Sequence, residues 1–161
     1  LKNDTLLYLS GLQFMAAAVW PAAMLTAESI KKEAEELVDK MEQPWAVPLD
    51  LITDAMKEHL PLKPFQMILQ EVGGLLHWGY YYSFYSDGST RSNELNQRCR
   101  IALDCLMKGE KQAYARQLSL CYCHVLEVVR EYMVQCGLYE AKNLITPQPE
   151  QWEEYEIQNI W

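Results

Sequence analysis

Between Asp4 and Glu28 the chain carries no charge: Thr5 to Ala27 is a run of 23 uncharged residues. A helix of that kind has two suitable surroundings, a bilayer or the interior of a protein. A spanning helix needs about 20 predominantly apolar residues, so length alone fits a membrane. Content fits less well, because Tyr8, Ser10, Gln13, Trp20 and Pro21 interrupt the run and Gln13 would sit near the bilayer centre. Leu6, Leu9, Leu12, Gln13, Ala16, Ala17 and Trp20 share one helical face, while Leu7, Phe14, Ala18 and Leu25 make the other faces apolar. That is the pattern of a central helix in a bundle. The expectation is therefore a core helix, with a membrane-associated fragment holding residues 5–27 in lipid as the competing reading. Lys2, the apolar stretch to Val19 and the small residues Ala16, Ala17, Ala18, Ala22 and Ala23 also have the composition of a secretory signal. Because the chain opens on Leu1 rather than Met, the segment is expected to be retained.

The remainder of the chain reads as helix. Glycine is scarce, prolines fall between apolar segments, and no alternating run is long enough for a strand. Helix one is expected over Thr5 to Val19, broken at Trp20-Pro21, where proline removes a donor and crowds the preceding turn. A second helix then runs from Pro21 or Thr26 to Glu42, with Ile30, Leu37, Val38 and Met41 as its buried stripe. A third runs from Pro48 or Asp50 to His59 or Leu60, and a fourth from Pro64 to Tyr85. Asp87 to Thr90 forms a turn, Ser92 caps a fifth helix, and Gly109 ends it. The sixth, Glu110 to Cys136, carries Tyr114, Leu118, Cys121, Val125, Val129, Tyr132 and Cys136 at intervals of three and four. It is expected to be the longest helix and the spine, with a short seventh helix over Leu138 to Ile145. The fold class is thus all-α: one bundle of six or seven helices, residues 1–146, around a long central helix, followed by an acidic-aromatic segment, 147–161.

The net charge of −8 argues against a nucleic-acid partner, which needs a basic face. Five cysteines, Cys99, Cys105, Cys121, Cys123 and Cys136, all lie on expected helices. An odd number placed this way does not resemble a secreted disulfide framework. An intracellular, reducing compartment, cytoplasmic or nuclear, is expected.

Residues that bear chemistry are few. Cys121 and His124, with Glu127 one turn on, sit at helical neighbour spacing. A structural zinc needs four ligands, and Cys99, Cys105, His59 and His77 offer no zinc-type pairing. A di-iron bundle needs Glu-x-x-His on two helices, and here the order is reversed and occurs once. No nucleophile elbow, phosphate loop or dinucleotide fingerprint is present. No metal, cofactor or catalytic residue is therefore expected. A helical enzyme or metal-binding protein using His124 and Cys121 remains the alternative.

Two aromatic segments point to contact surfaces. In Gly73 to Tyr85, glycines that weaken the helix by about 1 kcal/mol each stand beside Trp78, Tyr81, Tyr82 and Tyr85. Such rings supply large contact area with few rotatable bonds. The run resembles the tyrosine-glycine box of survival-motor-neuron proteins, though without that box's regular glycine spacing. In the last fifteen residues, Glu150, Glu153, Glu154 and Glu156 alternate with Trp152, Tyr155, Ile157, Ile160 and Trp161 and with no Lys or Arg. This is the composition of a segment that docks in a groove. Tyr155 to Trp161 is similar to the tyrosine, four spacers and two apolar residues found in partners of cap-binding proteins, with Ile160 where leucine is usual. The expected function is non-catalytic protein-protein interaction, as an adaptor or assembly subunit. The contact residues would be Trp152, Tyr155, Ile160, Trp161, Trp78, Tyr81, Tyr82 and Tyr85. The expected partner is another protein with a basic or apolar groove, and self-association is compatible with the same surfaces.

Overall fold

The computed structural model describes residues 2–85 and 90–137. Among them are five α-helices and no strand: α1 (Lys2–Met41), α2 (Pro48–His59), α3 (Lys63–Tyr85), α4 (Thr90–Met107) and α5 (Lys111–Gln135). The fold is all-helical, and the segments expected at Leu138 to Ile145 and 147–161 lie outside the described residues.

The largest departure from the sequence reading is α1, a single helix of 40 residues with Pro21 inside it. At 1.5 Å per residue it is about 60 Å long, so α1 and not α5 is the longest element. An interior proline costs a helix about 3 kcal/mol, while each large apolar side chain taken fully out of water contributes about 1.5–3 kcal/mol. Around Pro21 the buried residues are Met15, Val19, Trp20 and Ile30, with Ala16, Ala22, Ala23 and Ala27 between them. Packing on both sides of the proline therefore outweighs its local cost. The Ser119 hydroxyl also reaches across from α5 and donates to the Ala16 carbonyl at 3.2 Å, adding a donor in the turn where the proline removes one.

The small residues of α1 set how the bundle closes. Ala16, Ala22, Ala23, Ala27 and Ala34 are each at most 1% exposed, and α1 packs most extensively against α5. Helix α5 buries Tyr114, Leu118, Cys121, Val125 and Val129, the first five positions of the stripe that its periodicity shows, whereas Tyr132 and Cys136 at its far end are exposed. Helix α4 lies along α5, and α2 and α3 cover the remaining side of α1.

Local signals fix most element ends. Pro48 opens α2 at its first turn, where its missing N–H is no loss. Helix α4 starts two residues before the expected cap, so Ser92 is an interior residue and not an N-cap. Its far end is a Schellman turn: Gly109 has φ +83°, its N–H bonds to the Leu106 carbonyl at 2.9 Å, and the Glu110 N–H bonds to Cys105 at 2.9 Å. Only glycine adopts that φ without steric penalty, which lets α4 reverse into α5 over three residues, Lys108 to Glu110.

Candidate functional site

Helix α2 has two faces of different chemistry. Leu49, Ile52, Thr53, Ala55 and Met56 go into the core, and the same 3.6-residue geometry puts Asp50, Asp54, Lys57 and Glu58 along the other side. Helix α3 returns antiparallel beside it and brings Gln70, Gly73, Gly74 and His77 opposite. Together these eight residues line a cleft of about 450 Å³.

His77 anchors one end: its Nδ1 lies 2.6 Å from Asp50 Oδ2. The ring also stacks on Tyr81, centroids 5.7 Å apart at 29°. Burial pushes the Asp50 carboxyl above the usual range, against the opposing pull of His77. At the other end Lys57 Nζ pairs with Asp54 Oδ1 at 2.9 Å. Gly73 makes room for that ammonium, because a Cβ there would come within 3.0 Å of Lys57 Nζ. A Cβ on Gly74 would meet nothing within 4 Å, so the α3 wall is bare backbone at this point. The glycine pair, which reads as a close approach in the sequence, is a close approach at Gly73 and an opening at Gly74. Gln66 Nε2 ties the two helices by donating to the Lys57 carbonyl at 2.7 Å. Below the cleft, Tyr122 of α5 is buried and its hydroxyl meets that of Thr53, while burial keeps the phenol neutral by pushing its pKa up.

Because desolvation dominates at Asp50, its charge is a liability that His77 relieves. Asp50→Asn keeps an acceptor for His77 and removes that charge. In urea unfolding it is expected to stay within about 1 kcal/mol of the parent or to exceed it. His77→Ala strands the carboxylate and is expected to lower stability by about 1–3 kcal/mol. The reverse order would show that the pair is held by attraction and not by relief of burial.

The structure gives the two members of the alternative metal-type pair different partners. Cys121 is fully buried and faces Cys99, whose pKa is pushed up first by hydrogen bonding to Cys121 and then by burial. His124 turns instead toward α3 and α4, with the edge of Phe84 at 5.7 Å and Glu94 Oε2 at 3.9 Å from its Nε2. No group of three His, Cys, Asp or Glu that could hold a metal ion occurs among the described residues, and none of the five cysteines forms a disulfide.

Burial holds His124 below its ordinary pKa, with Glu94 pulling the other way. Over that interval the unfolded chain binds more protons than the fold. The stability that neutral His124 permits is thus complete above about pH 6.5 and lost as pH falls through the folded value. Melting temperature is expected to drop between about pH 7 and 5, and to drop less in His124→Gln. Parallel curves for the two proteins would exclude His124 as a source of the acid sensitivity.

Of the expected contact residues, Tyr81 reaches the cleft through His77. Trp78, Tyr82 and Tyr85 lie on α3, but their side chains are outside the described set. Trp152, Tyr155, Ile160 and Trp161 lie outside the described residues altogether. Sequence reasoning did not single out Asp50, Asp54, Lys57 and Glu58. Their spacing on one face of α2 was readable; their meeting with His77, 27 residues away, was not. Comparison with known protein families, with characterised proteins and with solved structures finds no match for this chain.

Proposed function

We propose that this chain is a non-catalytic protein-protein interaction module, an adaptor or assembly subunit working in a reducing compartment. The observation that carries the reading is the apolar corner where α2 turns into α3: Leu62, Met67 and Ile68 are 56%, 55% and 48% exposed. Scattered single apolar residues on a surface need no explanation, but a group of large ones does. Met67 follows Gln66, which bonds to the Lys57 carbonyl, so the apolar contact begins beside the charged side of α2. The partner that fits it is a basic protein with apolar anchors. The aromatic face of α3 and the acidic-aromatic segment 147–161 would extend the contact, and two copies of the chain could use the same corner.

The test is affinity capture from the native source with the parent chain and with Leu62→Ser/Met67→Ser/Ile68→Ser. The substituted residues are exposed, so the melting temperature should hold while the captured partner is lost. Interface anchors commonly contribute about 2 kcal/mol or more each, enough to clear the partner from the capture. Retention of the same partners by the triple variant would remove the corner from the interface. Deleting 151–161 examines the tail separately, since loss of stability with binding intact would assign it to the chain's own fold.

A further inference from the structure

We infer that the cleft between α2 and α3 receives the ammonium group of a lysine side chain presented by the protein partner. This rests on the interaction reading above and assigns the partner's chemistry to one place on the surface. The cavity is about 450 Å³, room for an extended aliphatic stem and its charged head. Its lining holds three carboxylates, Asp50, Asp54 and Glu58, against one lysine and one histidine.

Those carboxylates are not equally occupied. Asp50 is engaged by His77 at 2.6 Å and Asp54 by Lys57 at 2.9 Å. Glu58 sits one turn beyond Asp54 on the same face of α2, a spacing at which like charges repel. From outside the cleft, the Lys40 charge on α1 couples to it. A second ammonium entering between Asp54 and Glu58 would relieve that repulsion. Gln70 supplies an amide at the rim.

The entry path is the bare backbone of Gly74, where a side chain would project into open space. Helix formation alone would favour almost any other residue there, so the position is open against its own local preference. The apolar corner of Leu62, Met67 and Ile68 begins one to two turns along α3. A peptide laying apolar side chains on that corner therefore has the cleft within reach of a neighbouring lysine.

The experiment is a nitrogen-15 NMR titration of the full chain at constant ionic strength with three probes. They are a capped peptide carrying lysine between two leucines, the same peptide with norleucine for lysine, and spermidine. The expected result is saturable shifts at Gly73, Gly74 and Lys57 with the lysine peptide, at a Kd below about 1 mM. The norleucine peptide should bind at least about tenfold more weakly, as should spermidine, which lacks the apolar contacts. Glu58→Gln, which leaves the Asp54–Lys57 pair in place, and the cleft-filling Gly74→Leu should each abolish the lysine-dependent difference while leaving the melting temperature in place. Equal binding of the lysine and norleucine peptides, or an undiminished difference in Gly74→Leu, would overturn the proposal. Tighter binding of spermidine than of the peptide would overturn it too, by making the cleft a site for free amines. If the lysine-dependent shifts fail while Leu62, Met67 and Ile68 remain essential for capture, the cleft assignment falls and the interaction reading stands.

Discussion

Trp20→Ala is expected to lower the unfolding free energy by about 3–5 kcal/mol, the range for emptying a tryptophan site in a close-packed core. Trp20 is 3% exposed and stands immediately before Pro21, where the backbone has least to hold it helical and side-chain packing must do more. A loss there should be felt along the whole of α1. Urea unfolding followed by far-ultraviolet circular dichroism measures it, and Phe14→Ala is the control. Phe14 is 39% exposed on the same helix and should change stability far less. Equal losses at the two positions would mean that the helix is supported evenly along its length and that the turn at Pro21 has no special need of its ring.

The second large effect separates the two surroundings open to α1. By length and composition this helix could cross a membrane, yet Ala22 is fully buried against the rest of the bundle. In a protein core, Ala22→Asp places an unpaired carboxylate where nothing compensates it, at a cost of several kcal/mol. Loss of the cooperative transition is the expected outcome. Ala22→Leu overfills the same place and should cost about 1–3 kcal/mol. In lipid the second substitution has the opposite sign, because added leucine favours insertion. A chain that gains stability from Ala22→Leu, and needs detergent to stay dispersed, would belong in a bilayer.

How legible these features were depends on the range of the interactions behind them. The all-helical class, the limits of α2 and α3 and the stripe of α5 rest on periodicity and on proline and glycine placement, which act within a few residues. Pro21 misled because its cost is local, while the gain that overrides it comes from the packed core, including a hydroxyl at position 119. Ser92 misled in a milder way: it is a good capping residue, but α4 extends two residues past it, to Thr90. The cleft was half readable. Asp50, Asp54, Lys57 and Glu58 show as the solvated side of a helix, and nothing local says that a histidine and a glycine pair will close over them. His124 and Cys121 are the converse case. Neighbour spacing on a helix brought them together on paper, and the angular width of that spacing sent one to Cys99 and the other to Glu94.

The hydrogen bond from Ser119 to Ala16 joins positions 103 residues apart. On a ribosome working at roughly 5–20 residues per second, the alanine-rich face of α1 would wait about 5–20 s before α5 exists to cover it. During that time the chain displays an uncharged helix of membrane-spanning length to whatever reads such segments as they emerge. Until α5 has been made, this face is open to targeting factors and to other nascent chains. Slowing elongation between α4 and α5 would lengthen the exposure without altering a single contact of the finished protein. Yield in the cell should consequently be more sensitive to codon choice in that stretch, and to the supply of chaperones that hold apolar helices, than its equilibrium stability would indicate.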